Sequence, residues 1–167
     1  MADYWTPTVI HQTIPDADMT PLERLLLTRI FNAEPDGDGL YFYAEEGPSD
    51  LVVIGRGELE EALAASRAAG DSRAAVFVAE QLAQLGEDEA EVELDLSGSV
   101  SWEAFLQDIL RRSPRLRYVS MISSFTCSRM RPDGFGGMAV LITAERVLAK
   151  STGDLIAELL EEAGLEA

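Results

Sequence analysis

The start of a helix at Thr20 is the feature that most constrains the fold of this chain. Thr20 is a good N-cap, Pro21 suits the first helical position, and Glu23 completes a T-x-x-E capping box. Apolar residues then recur at helical spacing as far as Phe31, so this helix has a stripe that must pack against another element. The turn-forming segment 32–39 ends the helix.

Caps, glycine stops and apolar spacing predict four more helices. They cover 57–69, 72–85, a segment from Ser99 or Ser101 to just before Pro114, and a segment from Ser151 or Thr152 to Gly164.

Five apolar or alternating runs predict strands, at 40–45, 50–54, 92–96, 116–125 and 138–143. We expect the first two to form a hairpin. The third alternates, so it has one acidic, solvated face. The last two do not alternate strictly and are expected to be buried on both faces.

Together these elements predict a single-domain α+β layer sandwich, with about five mostly antiparallel strands and about five helices. The domain is assigned to residues 20–167. Residues 1–19 are assigned to an extended N-terminal arm, because Pro7 and Pro15 discourage regular structure, although 8–14 is compatible with an edge strand.

Composition excludes several classes of protein. No apolar run reaches the roughly 18 residues of a membrane helix, and residues 1–10 lack the basic and apolar regions of a secretory signal. Cys127 is the only cysteine, so an internal disulfide or a cysteine-based zinc site is excluded. We expect a bacterial cytoplasmic protein without a metal or other cofactor. The composition does not indicate any particular reaction.

Charge is distributed unevenly along the chain. The formal net charge is −17, yet residues 109–132 contain six arginines and no acid. Such an acidic chain repels nucleic acid and anionic membranes, so neither direct binding to duplex DNA nor membrane binding is expected. The basic patch is either a local binding site or a set of arginines that pair with carboxylates of the same fold; its members are Arg111, Arg112, Arg115 and Arg117.

The connection between the last two predicted strands is the best candidate for a binding loop. Glycines allow backbone N–H groups to converge on an anion, and arginines would strengthen that nest. The alternative is a plain hairpin loop in which Pro-Asp-Gly forms the turn and the glycines supply positive φ angles. The spacing matches no nucleotide-binding motif. The candidate residues are Arg129, Arg131, Asp133, Phe135, Gly136 and Gly137.

The candidate catalytic and metal-binding residues are better explained by structural roles. Cys127 lies near Arg129, but a catalytic thiol needs a base and His11 is the only histidine, with no local feature that places it near Cys127. The segment 36–39 (DGDG) resembles part of a calcium loop but lacks the closing glutamate, so a solvated turn is favoured. No catalytic residue is assigned.

Two stretches, 14–24 (IPDADMTPLER) and 129–137 (RMRPDGFGG), resemble uncharacterised accessory proteins carried on bacterial plasmids and phages. The resemblance implies a mobile-element setting and carries no activity or residue role.

Three functions remain open from the sequence, while the oligomeric state stays unassigned. The leading hypothesis is a non-enzymatic, acidic protein-binding module that contacts a protein partner through the loop 129–137. A second is a DNA mimic that inhibits a nucleic-acid-binding defence enzyme. The third is an enzyme whose Arg129 and Arg131 hold an anionic substrate in a pocket with Ser124 and Cys127. The carboxylate rows proposed for the mimic are Glu91, Glu93 and Asp95, and Glu58, Glu60 and Glu61.

Overall fold

The computed structural model describes residues 1–70, 72–86 and 88–165, and over this part of the chain it is an α+β fold. The strands are β1 (Tyr4–Trp5), β2 (Thr8–Ile10), β3 (Ile14–Pro15), β4 (Asn32–Asp36), β5 (Gly39–Ala44), β6 (Leu51–Gly55), β7 (Glu91–Asp95), β8 (Tyr118–Cys127), β9 (Gly136–Thr143) and β10 (Val147–Ser151). The helices are α1 (Pro21–Ile30), α2 (Arg56–Ser66), α3 (Arg73–Gln84), α4 (Trp102–Arg112) and α5 (Thr152–Glu162).

Eight strands form the main sheet, in the order β10-β9-β8-β2-β5-β3, with β1 paired to β8 and β4 paired to β5. All of these pairings are antiparallel. β6 and β7 form a separate two-stranded sheet, with α2 and α3 between them in the chain.

The N-terminal segment 4–15 is the middle of the main sheet. Thr8 pairs with Ser123 of β8 on one side and with Ala44 of β5 on the other. β1 continues this line along β8, and β3 continues it along β5. The expectation of an edge strand over 8–14 is therefore wrong: Pro7 and Pro15 lie where the strand pieces break or end, so both edges of β2 remain free to pair.

The predicted number of strands is wrong, since the described residues hold eight strands in one sheet and two in another rather than about five. The strands that the sequence does not predict are short or contain residues that disfavour strands. They form because their backbones hydrogen-bond to the edge of a neighbouring strand. β4 includes Pro35 and two acids, which in the sequence predict a turn. It is an edge strand, where proline is tolerated.

The predicted hairpin between 40–45 and 50–54 is also wrong. β5 pairs with β4 and with the N-terminal strands, whereas β6 pairs with β7, placing Leu51 opposite Asp95. Nearness in the sequence favoured the hairpin, but β5 already has a partner along each edge. The alternation predicted for β7 is confirmed, with Val92 and Leu94 buried between three exposed acids.

Helices α1 to α4 cover one face of the main sheet. Ile10, Phe42 and Met121 from the sheet join the helices in one apolar core. Phe31, at the end of α1, makes edge-to-face contacts with Phe42 at 6.2 Å and with Trp102 at 5.1 Å between ring centroids. The opposite face of the sheet is open, so the prediction that 116–125 and 138–143 are buried on both faces is wrong.

The two sides of β2 give a direct test of this arrangement. Ile10→Ala removes a fully buried side chain and is expected to lower the free energy of unfolding by about 2–5 kcal/mol. Val9→Ala, on the open face, is expected to cost less than about 1 kcal/mol. Denaturant unfolding measures both, and equal small losses would contradict a central position for β2.

Candidate functional site

The loop between β8 and β9 is anchored to the body of the fold. Pro132–Gly134 forms a single 3-10 turn, and the Gly134 amide donates to the Arg131 carbonyl at 3.0 Å. Gly134 is buried against Cys127, and a Cβ added to it would lie 2.5 Å from the Cys127 Cβ. At the start of the loop, the Ser128 amide donates to the Asp3 carbonyl at 2.9 Å. The loop therefore has contacts beneath it and beside it that fix its path.

The glycines of this loop serve close packing rather than special backbone angles. Among the described residues, the glycines with positive φ are Gly37, Gly47, Gly70 and Gly164, and none of these lies in the loop between β8 and β9. Gly136 and Gly137 begin β9. A Cβ added to Gly136 would lie 2.7 Å from Thr152 Oγ1, and one added to Gly137 would lie 3.1 Å from the Ser123 carbonyl oxygen. The positive φ angles that the plain-hairpin alternative gives to these glycines are therefore wrong, and the glycines do not supply the alternating backbone of an anion nest either.

Exposed aromatic, methionine and arginine side chains lie at this end of the sheet. Met130 is 90% exposed and Phe135 is 47% exposed. β1 runs beside the end of β8 and brings Tyr4 and Trp5, both exposed, next to the loop. We call this set the loop-end surface; its members are Tyr4, Trp5, Arg129, Met130 and Phe135.

Charges at the loop-end surface are only partly compensated. Arg131 lies 3.4 Å from the carboxylate of Asp133. Within the described residues Arg129 forms no ion pair. Partial desolvation, followed by the nearby Asp133 carboxylate and Cys127, raises the pKa of the Tyr4 phenol above its usual range. Tyr4 is therefore a neutral hydrogen-bonding group at physiological pH.

The predicted basic patch is largely occupied by ion pairs within the fold. Arg111 binds Asp108 at 2.6 Å, and Arg115 binds Asp38 at 2.8 Å. Arg112 binds Glu23, the residue of the α1 capping box. Arg117 forms no ion pair with a described residue. The structure thus does not gather these four arginines into one free cationic surface.

The Arg112 pair joins the C-terminal end of α4 to the N-terminal end of α1. Glu23 is completely buried, and its Oε2 also accepts from the Thr20 amide at 2.9 Å. Its Oε1 has no hydrogen-bond partner among the described residues. A buried carboxylate with one unsatisfied oxygen depends strongly on its counter-ion.

Asp108 forms a second charged junction, between α3 and α4. Its carboxylate accepts from the Arg73 amide at 2.7 Å and from the Arg73 guanidinium at 2.8 Å. Burial alone would raise the pKa of Asp108, but Arg73 and Arg111 lower it below its ordinary range. Because the folded pKa is lowered, this carboxylate stabilises the fold above the ordinary Asp pKa, and the stabilisation is lost as pH falls through the lowered value.

The structure separates the residues of a cysteine-based active site. The His11 amide donates to the Ser120 carbonyl at 3.0 Å, and Cys127 lies seven residues further along the same strand, about 23 Å away. Cys127 is buried, and its Sγ accepts from the Arg129 amide at 3.5 Å. The thiol and the imidazole therefore cannot act together.

Sequence analysis missed a contact between His11 and Ser120, since nothing local indicates that these residues meet. His11 Nδ1 lies 3.3 Å from Ser120 Oγ, which also contacts the Gln12 amide group. Gln12 binds the hydroxyl rather than the imidazole, so this group lacks the orienting partner of a catalytic triad.

Carboxylates proposed as metal ligands have other partners. Asp36 accepts from the Thr13 hydroxyl, and Asp38 binds Arg115. Across residues 1–70, 72–86 and 88–165, no three His, Cys, Asp or Glu side chains come together as a metal-binding group.

The two proposed rows of carboxylates differ in how they are paired. Glu91, Glu93 and Asp95 are all exposed along one face of β7. By contrast, Glu58 binds Arg29 at 3.1 Å and Glu60 binds Arg56 at 2.9 Å. Only the β7 row therefore offers a line of carboxylates without an arginine partner among the described residues.

No family model, curated protein or solved structure matches this chain. Within the described residues, no helix has both the length and the apolar character needed to cross a membrane.

Arg112→Ala tests the junction between α1 and α4. It leaves the buried Glu23 carboxylate without its counter-ion, which is expected to lower the free energy of unfolding by about 3–5 kcal/mol. Arg115→Ala breaks an exposed pair and is the matched control, expected to leave stability nearly unchanged. Thermal and urea unfolding measure the stability of both variants. An Arg112→Ala variant as stable as the wild type would refute the stabilising role of the Arg112–Glu23 pair.

Gly134→Ala tests whether the loop depends on its contact with Cys127. The new Cβ overlaps the Cys127 side chain, so the loop must move and the thiol must become more exposed. Modification of Cys127 by a thiol reagent is expected to become faster. Gly57→Ala, which meets nothing within 4 Å, is the control and should leave the modification rate unchanged. Equal rates in both variants would contradict the packing account.

Proposed function

We propose that this protein is a non-enzymatic protein-binding module whose loop-end surface contacts a protein partner. The observation that carries the proposal is the exposure of Met130 and Phe135 on a loop held from beneath by Gly134 and Cys127. Large apolar side chains on an ordered loop lose little conformational entropy when they bind.

The composition of the loop-end surface supports this proposal. Aromatic residues, methionine and arginine are enriched in protein interfaces, and tyrosine, tryptophan and arginine dominate binding hot spots. All of these residue types are exposed here, and together they form a mixed apolar and cationic surface on a chain with a net charge of −17. The partner that fits has an apolar cleft for Met130 and Phe135, with an acidic group near Arg129.

The proposal also includes a genomic setting, a mobile genetic element. The resemblance of 129–137 to plasmid and phage accessory proteins covers Arg129, Met130 and Phe135 of the loop-end surface. We therefore propose a cytoplasmic accessory protein of a mobile element, acting on a bacterial protein.

Affinity purification from a bacterium that carries the gene tests the proposal. The tagged full chain is compared with Met130→Ala/Phe135→Ala and with Arg129→Ala. Loss of anchor side chains is expected to weaken partner binding by about tenfold or more.

Two controls match these variants. Leu51→Ala/Val53→Ala removes exposed apolar residues from β6, and Arg117→Ala removes another arginine that has no ion pair among the described residues. Both should retain the partner. A partner that binds all variants equally would exclude the loop-end surface, and recovery of no stoichiometric protein would exclude the binding module.

A DNA mimic is the second candidate, because the exposed acids of β7 favour it. Alternate residues along a strand are about 6.8 Å apart, so Glu91, Glu93 and Asp95 form a regular line of negative charge. This function predicts a partner that is displaced by DNA and by high salt. Glu91→Gln/Glu93→Gln should abolish such binding, whereas binding through the loop-end surface should be unaffected.

A further inference from the structure

The open face of the main sheet carries apolar side chains that no described element covers. Val9 pairs with Ile122, and Leu141 pairs with Leu148, so these residues follow one another across β2, β8, β9 and β10. Each is between 36% and 42% exposed. A shallow groove of about 440 Å³ lies over this part of the face, between Ser120 and Lys150. Apolar residues that are contiguous in this way characterise interaction surfaces rather than ordinary solvated strands.

Helix α5 carries the second uncovered apolar surface. Leu155, Ile156 and Leu159 share one side of the helix and are 46%, 56% and 58% exposed, and no residue of the helix is buried. The helix nevertheless begins with a complete capping box between Ser151 and Asp154. The apolar stripe of this well-capped amphipathic helix is not packed on its own domain, so only another surface can bury it.

Charge makes the two surfaces complementary. No Asp or Glu occurs in β8, β9 or β10, although the chain has 30 of them. The polar side of α5, in contrast, is acidic, with Glu158 already bound to Lys150 at 2.6 Å. An acidic amphipathic helix therefore meets no carboxylate on β8, β9 and β10, and the one charged side chain that lines the groove, Lys150, is a cation that binds a glutamate of α5.

The free edge of the sheet lies next to the same groove. The other edge, β4, is protected against pairing by Pro35 between Glu34 and Asp36. β10 has neither proline nor acid and pairs only with β9 among the described residues. Lys150 is the one charged side chain of β10, and it is paired with Glu158, so this edge is less protected against association than β4.

From these observations we infer that a second copy of this chain covers the open face, with α5 of each copy lying across the sheet of the other. The interface is isologous, so each copy buries both its sheet face and its helix stripe. This goes beyond the proposed function, because it uses the open face of β8 and β9 rather than their connecting loop and requires no other protein.

The dimensions of the two surfaces agree. Eleven helical residues span about 16 Å, and the four strand spacings from β10 to β5 span about 19 Å. One copy of α5 is therefore long enough to cross most of the open face. Its apolar stripe would then lie over Leu148, Leu141 and Ile122.

Analytical ultracentrifugation of the purified full chain tests the inference. The wild-type protein should sediment at twice its chain mass of 18.2 kDa. Leu141→Glu places a charge on the sheet face and Leu159→Glu places one on the helix stripe, and each should raise the dissociation constant by about 100-fold or more. Val53→Glu adds the same charge at an exposed position on β6 and should leave the dimer intact.

Salt dependence adds an independent readout. Two chains of net charge −17 repel each other, and salt screens that repulsion without weakening apolar contacts, so the dimer should become tighter at high salt. Circular dichroism confirms that each variant is folded. A monomeric wild type, a dimer that survives either Leu141→Glu or Leu159→Glu, or a different protein bound at Ile122 and Leu141 would each overturn the inference without touching the loop-end surface.

Discussion

Pairing of the N-terminal segment on both of its edges holds the main sheet together. β4 and β5 form one antiparallel unit and β8, β9 and β10 form another, and among the described residues only the segment 4–15 pairs with both. The same segment places Ile10 in the core and Val9 on the open face. It also carries Tyr4 and Trp5 to the loop-end surface, so both proposed interaction surfaces depend on it.

Ion pairs within the fold decide which charges remain available for recognition. The arginines of 109–132 look like a basic patch in the sequence, yet Arg111 and Arg112 hold the buried carboxylates Asp108 and Glu23. Removing a charge from such a junction destabilises the fold, whereas removing an exposed charge does not. What is left is an acid-rich body, an open sheet face without acids on β8, β9 and β10, and one arginine without an ion pair at the exposed loop.

Local signals predicted the parts of the structure that depend on local interactions. The capping box at Thr20 and Glu23, the cap at Ser151 and the alternation in β7 all appear as expected. Short strands such as β1 and β3 were missed because they are fixed by distant partners, and no local pattern shows that Thr8 meets both Ala44 and Ser123. For the same reason no local pattern shows that the apolar stripe of α5 stays exposed, or that Gly134 packs against Cys127 in addition to forming the predicted turn.

Amide hydrogen exchange measured by NMR tests the central position of the N-terminal segment most directly. The His11 amide donates to the Ser120 carbonyl at 3.0 Å, and residues 8–10 pair on β8. If this segment is the middle of the sheet, its paired amides should exchange as slowly as those of β8, at the rate of global unfolding. Rapid exchange of 8–11 while β5 and β8 stay protected would show a detachable arm and contradict this structure.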